Sequence, residues 1–200
     1  MTKSKLKTRI KNFVKNELSD YGFSLVVPMT AERTVDGMIQ GINFQSGTSY
    51  LTGKYTMNIY WRFKYFEKDY ISLDGTRRIG ELIDGKDLWL TFEGELLEED
   101  FQKAKELVLK GAIPYLEEYA SLRKLLESVE NGNISKSNAF GVDVGWQCFN
   151  AGFSYAAIGQ AREALQELIE LVEFHSDRPV DWVQERKAVA QNKINELKGK

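Results

Sequence analysis

Between residues 54 and 66 the chain reads K-Y-T-M-N-I-Y-W-R-F-K-Y-F. Tyr55, Met57, Ile59, Trp61, Phe63 and Tyr65 alternate with Thr56, Asn58, Tyr60, Arg62 and Lys64, the period-two pattern of a strand with one buried face. Six bulky side chains on one face must be covered, and in a chain that is otherwise rich in helical patterns the cover is helical. The opposite face is polar, and Asn58, Tyr60, Arg62 and Lys64 can all donate hydrogen bonds.

The neighbours of this strand supply the rest of a sheet. Residues 23–28 read as a first strand and 34–45 as a second, with Met38, Ile42 and Phe44 inward and Asn43 and Gln45 outward. Residues 46–53 form a Ser/Gly/Thr-rich loop. Residues 77–83 and 88–92 read as two short strands around Asp84-Gly85-Lys86-Asp87, since Asp-Gly favours a hairpin turn. The simplest topology is an antiparallel meander of four or five strands.

Helical patterns flank this region. Over residues 3–19, Leu6, Ile10, Phe13, Val14 and Leu18 make an apolar stripe, and Gly22 suits a left-handed cap. Lys3, Lys7, Lys11 and Lys15 form a second stripe, either a solvated face or a contact surface for an acidic partner or phosphate. Residues 98–119 are helical through Phe101, Ala104, Val108, Ala112, Leu116 and Tyr119, with Pro114 expected to kink or split them. Residues 121–130 continue as helix until Asn131-Gly132-Asn133. Residues 145–174 read as a helical hairpin and 181–197 as a last helix, with Trp182, Arg186, Val189, Ala190, Lys193 and Ile194 on the side that caps the hairpin. The fold class is therefore α+β: an N-terminal helix, an antiparallel sheet of four or five strands, and a helical C-terminal half packed on one sheet face. The domain boundaries expected are 1–120 for the sheet domain and 121–200 for the helical extension.

Composition narrows the function classes. Hydrophobic residues make up 42% and charged residues 28% of 200 positions, an ordinary globular balance. Formal net charge is -2, so bulk electrostatics point to neither nucleic acid nor membrane. Residues 1–20 hold six Lys/Arg against two acids, net +4, which leaves -6 on the remainder. The single cysteine, Cys148, rules out an intramolecular disulfide and suits a reducing compartment. No apolar run approaches the roughly 18 residues of a membrane helix, and the basic N-terminus lacks the apolar core of a secretory signal. A cytoplasmic protein is expected, in which the sequon at 133–135 is a chance match.

Few residue groups suggest chemistry. With one histidine, His175, and one cysteine, no zinc or iron site with imidazole or thiolate ligands can be assembled within the chain. His175 stands at a helix end, where its protonated ring would complement the dipole. Cys148 falls among Trp146, Phe149 and Phe153, as a buried structural thiol would. Ser121-Leu122-Arg123-Lys124 spells S-x-x-K without its partner motifs. Residues 47–55 resemble a phosphate loop but carry one residue too many and Tyr55 in place of the magnesium-binding hydroxyl. No cofactor and no metal are expected. The remaining candidates are Asn43, Gln45, Asn58, Arg62 and Arg78. They are either solvent-facing strand positions, with Arg78 paired to Glu81 or Asp87, or an anion pocket on the polar sheet face.

Two resemblances accompany these readings. The opening helix, Gly22-Phe23, Ile42-Asn43-Phe44-Gln45, the alternating strand 55–61, Arg78-Ile79-Gly80-Glu81-Leu82 and Asp87 with Trp89 together resemble the bacterial domain-of-unknown-function 4304 family over about the first 120 residues. Where that family's pattern has paired tryptophans after the Asp, this chain has Leu88-Trp89-Leu90. The resemblance implies no activity and no catalytic residues. Gly152, Tyr155, Gly159 and Ala164 resemble one tetratricopeptide repeat in spacing. About three stacked copies are needed for an independent array, so one copy reads as an isolated helix pair docked on the sheet domain. The function expected is a non-enzymatic interaction protein, an immunity-type role being an analogy, with a protein as partner. The alternatives are an anion- or small-molecule-binding module on the polar sheet face and, last, a carboxylate-dependent enzyme.

Overall fold

A computed structural model describes residues 3–66, 71–94, 97–174 and 180–199. It is an α+β structure, with an antiparallel sheet and a helical C-terminal half. The chain forms two compact units, residues 1–61 with 76–120, and residues 62–75 with 121–200. Residues 62–75 therefore group with the helical unit, although they follow directly from the central strand.

The first unit opens with helix α1 (Lys3–Phe13), which widens into a π-helical turn over Val14–Leu18 and closes with a 3-10 turn at Ser19–Tyr21. Gly22 ends it at φ 81°, a left-handed position that costs glycine little. Six strands follow: β1 (Ser24–Val27), β2 (Thr30–Val35), β3 (Met38–Ser46), β4 (Lys54–Phe63), β5 (Gly75–Arg78) and β6 (Leu90–Thr91). The order is β1-β2-β3-β4-β5, with β6 paired to the start of β4 at Lys54 and Tyr55.

Two expectations about the sheet are corrected. The single strand expected over residues 34–45 is two strands, because Asp36 (φ 47°) and Gly37 (φ 78°) form a two-residue turn. Positive φ at both turn positions matches the twist of the flanking strands, so Val35 pairs with Met38 and Arg33 with Gln40. The hairpin expected at residues 84–87 is instead the end of a helix. Helix α2 (Ile79–Asp84) starts where the Arg78 backbone N–H donates to the Glu81 carboxylate, 3.4 Å away, and stops at Gly85, φ 73°. Asp84-Gly85 is thus a helix C-terminus, and the sheet is a path of five strands with the two-residue β6 added beside β4.

Helix α3 (Leu97–Leu107) passes through a π-helical turn, Val108–Ala112, into α4 (Ile113–Glu118). Pro114 has no N–H for the carbonyl four residues back. The chain adds a residue just before it, and Ile113 N–H reaches Val108 O. These helices cover the apolar face of the sheet. Phe13 meets Phe101 edge-on at 6.4 Å, and Trp61 stacks on Tyr115 at 6.0 Å and lies 5.3 Å from Tyr119. Within this apolar layer sits a polar clamp. Gln40, fully buried, donates to the Leu116 and Tyr119 carbonyls at the end of α4. Its oxygen accepts two bonds from Arg33, whose guanidinium also pairs with Glu117 and lies 4.8 Å above the Phe23 ring.

The polar face of β4 is also buried, another correction. Thr56 and Tyr60 are fully covered and Asn58 nearly so. The Tyr60 ring lies across Gly41 of β3 and its hydroxyl donates to Glu32 of β2, 2.7 Å away. Gly41 is what permits this, since a Cβ there would come within 2.1 Å of the ring.

The second unit contains α5 (Leu122–Glu130), α6 (Lys136–Phe140), α7 (Val144–Ala157), α8 (Ala161–Phe174) and α9 (Asp181–Lys198). Ser121, Ser135 and Asp143 each accept a backbone N–H as the N-cap of its helix. Helix α6 was not expected from the sequence. In the α7–α8 hairpin Gly152 lets Leu168 approach, because a Cβ there would stand 2.7 Å from Leu168 Cγ. Gly159 makes the turn at φ 83°, Ala164 is fully buried, and the Tyr155 hydroxyl donates to Glu130. Cys148, Phe149, Leu168, Leu171, Ala190 and Ile194 form one core cluster, so α9 does close over the hairpin. Tyr65 and Phe66 join it, through Phe153 and through Trp146 and Phe149. Arg186 of α9 is fully buried against two stacked indoles, its guanidinium carbon 4.4 Å from Trp146 and 4.9 Å from Trp182, with Asp143 at 3.7 Å.

Gly41→Ala is expected to destabilise the protein by about 1–3 kcal/mol, the usual cost of overpacking, read as a lower urea midpoint at unchanged slope. The same substitution in a Tyr60→Ala background should cost far less. Equal costs in both backgrounds would mean that the ring is not what the added methyl meets.

Candidate functional site

Helix α1 has two differently committed cationic faces. Toward α3, Arg9 pairs with Glu98, and Glu17 with Lys105. On another face Lys7, Lys11 and Lys15 are exposed at four-residue spacing, and none has a carboxylate partner among the described residues. Such positions are neighbours along one side of a helix, so the three amines form a positive rail. The side chain of Lys3, the fourth residue of that stripe, lies outside what the structure describes.

Beside this rail runs an open groove of about 460 Å³ lined by Lys11, Val14, Lys15, Ser19, Phe23, Ser24 and Leu25. Its surface is mainly apolar, its floor Val14 and Phe23 and its far wall β1. The π-turn at Val14–Leu18 builds one side of it, and such turns often occur at functional sites. Strand β1 comes first in the sheet order and pairs with β2. Its residues are mostly exposed, Val26 at 45% and Val27 at 44%, a large opening for valines in a sheet. The lysine stripe is visible in the sequence. The groove is not, because Phe23 and Leu25 come to line it only when β1 docks beside the π-turn.

The residues proposed as an anion pocket fare unevenly. Asn43, Gln45 and Asn58 do come together: Asn58 Nδ2 donates to Asn43 Oδ1 (3.2 Å) and Gln45 Oε1 (2.9 Å), and Asn43 Nδ2 donates to Thr30. These amides satisfy one another and form a ladder across β2, β3 and β4. Arg62 belongs to the second unit, is half-buried and has a partner of its own. Arg78 Nη1 lies 2.5 Å from Asp87 Oδ2, and its guanidinium sits 5.4 Å from the Trp89 ring centre. Trp89 Nε1 donates to the same carboxylate. Burial pushes the Asp87 pKa upward, but the hydrogen bonds from Arg78 and Trp89 outweigh it and hold the carboxyl below its ordinary range. Arg78 is thereby committed to its own neighbours, one of the two readings the sequence allows.

Cys148 is fully buried, and burial raises its thiol to about 12 although Lys136 acts in the opposite direction. It is therefore a poor nucleophile at neutral pH. Cys148, Glu167 and Glu170 offer ligand atoms within 4.8 Å of one another. The positive charge such a set would attract is already supplied by Lys136, whose Nζ is 2.5 Å from Glu167 Oε2 and 3.9 Å from the sulfur. In the S-x-x-K sequence, Ser121 Oγ accepts the Lys124 N–H as a helix cap. Residues 47–55 include a 3-10 turn, Ser49–Leu51, leading into β4. His175 lies outside the described residues. No described helix is long and apolar enough to cross a membrane.

No protein-family model, no curated protein and no solved structure matches this chain.

The raised thiol yields a direct test. Because the folded pKa lies above the ordinary value of 9.0, folding favours the protonated thiol. This contribution is complete below about pH 9 and fades as pH climbs toward 12. A disulfide reagent at pH 8 is expected to leave native Cys148 unmodified over minutes and to modify it at once after unfolding in guanidinium. Rapid labelling of the native protein would contradict the buried position.

Proposed function

We propose that this chain is a non-enzymatic interaction protein that docks a protein partner in the groove between α1 and β1. The observation that carries the reading is the pairing of an open apolar groove with a rail of lysines that have no carboxylate partner among the described residues, whereas the surface cations Arg9 and Arg78 are each paired with a carboxylate. Apolar lining supplies affinity, and charge supplies orientation and rate of encounter. A partner with apolar and acidic groups side by side fits both. Nucleic acid fits less well, since phosphate contact needs no apolar floor and the formal net charge of the whole chain is -2.

The alternative, an anion held on the polar sheet face, is weaker because Asn43, Asn58 and Arg78 already donate to neighbouring side chains. An enzyme built on carboxylates has no selected pair to support it. The resemblance to the domain-of-unknown-function 4304 family is compatible with an interaction role and adds no activity. A cytoplasmic setting is part of the proposal and rests on a lone, reduced cysteine.

The test is affinity capture of tagged protein from its own native lysate, with the wild type set against a Lys11→Glu/Lys15→Glu variant. Both lysines are exposed, so the variant should melt as the wild type does. A stoichiometric partner should co-elute with the wild type and bind the variant at least about tenfold more weakly, which corresponds to about 1.4 kcal/mol. Its binding should also weaken with salt. Equal recovery by both proteins would remove the groove from the account.

A further inference from the structure

We infer that the groove receives its partner as an added β-strand: an extended segment bearing apolar and acidic side chains pairs with the open edge of β1. This rests on the interaction reading above and names the form of the partner.

Three observations carry it. First, β1 closes one end of the sheet order, and among the described residues no strand pairs with its outer edge. Such an edge presents a row of backbone donors and acceptors ready to accept another strand. Free edges are blunted by charge, proline, bulges or short length; β1, Ser-Leu-Val-Val, carries no charged residue and leaves a few residues open before its register shift and Pro28. Second, the edge is short and bounded. The register with β2 shifts between Leu25 and Val27, and Pro28 follows. Proline cannot donate to a ladder, so the added pairing is confined to a few residues. This favours a defined segment over unlimited stacking. Third, side chains on the helix side of an added strand would meet the apolar floor of Val14, Phe23 and Leu25, with the Lys11 and Lys15 amines at the rim.

Charge decides between the occupants. A second copy joined edge to edge through β1 would carry its own lysine rail to the same junction, and like charges brought together oppose that pairing. An acidic segment instead supplies the carboxylates that these lysines lack among the described residues. An amphipathic helix could fill the apolar floor but would leave the β1 edge unpaired.

The experiment uses the full-length protein and an array of eight-residue peptides composed of Val, Ile, Leu, Phe, Asp and Glu. Members carrying at least two acids are expected to bind with Kd below about 100 μM, and the Lys11→Glu/Lys15→Glu variant to weaken them at least tenfold. The best member is then N-methylated at alternate backbone positions. In an added strand only residues of one parity point their N–H groups at β1. Methylation of that parity should therefore cost tenfold or more, and methylation of the other parity less than twofold. Binding that is insensitive to parity, or a peptide that turns helical when bound, would overturn strand addition while leaving the groove as the docking site. An array in which nothing binds at 1 mM would overturn the inference too, and the lysate comparison would still decide the interaction reading separately. Self-association of the protein in sedimentation equilibrium, abolished by Val26→Pro, would assign the edge to a second copy and refute the acidic occupant.

Discussion

Strand β4 is buried on both of its faces, and the architecture of the first unit follows from that constraint. One face carries Tyr55, Met57, Ile59 and Trp61 and is answered by the aromatic and aliphatic side chains of α1, α3 and α4. The other carries Thr56, Asn58 and Tyr60, whose polar groups cannot be left unmatched without a penalty of a few kcal/mol. The neighbouring strands supply the matches for Asn58 and Tyr60, while the buried Thr56 hydroxyl makes no hydrogen bond. Asn58 is held by Asn43 and Gln45, and Tyr60 reaches over Gly41 to Glu32. The residues that most invite a functional reading from sequence are thus the ones the fold uses to close its own sheet.

Gln40 shows the same economy on the opposite face. A helix leaves its last carbonyls without intrahelical partners, and the Gln40 amide satisfies two of them at the end of α4 while its oxygen gathers the Arg33 guanidinium. In the second unit Arg186 plays a comparable part. A cation with no exposure is expensive unless its surroundings compensate; here two stacked indoles and an aspartate at 3.7 Å offset part of that cost, while the guanidinium Nε and Nη1 make no hydrogen bond. Both clusters are inward-facing and stabilise the fold. Against them the lysines of the α1 stripe and the uncharged edge of β1 stand out, because nothing among the described residues answers either.

The helices, the central strand and the helical hairpin were legible in the sequence because their signals are local. Leu6, Ile10, Phe13 and Leu18 recur at helical spacing, Tyr55 to Phe63 alternate, and Gly152, Gly159 and Ala164 mark a close helix pair. The misreadings came from turn residues that serve two purposes. Asp36-Gly37 is a hairpin turn and Asp84-Gly85 is a helix end, although the dipeptides are identical. What separates them lies outside the pair: the Arg78 and Glu81 cap upstream of the second, and the register of Arg33 with Gln40 around the first.

The sequence by itself therefore determined the α+β class, the site of the main core and the lysine stripe, since each is a periodic property of consecutive residues. Tertiary structure decided which polar residues are spent and which are free. Asn43, Asn58 and Arg78 look as available as Lys11 and Lys15 when read along the chain. They differ only in what strand pairing and helix docking bring within hydrogen-bonding distance, and that distance is set by contacts between residues far apart in sequence.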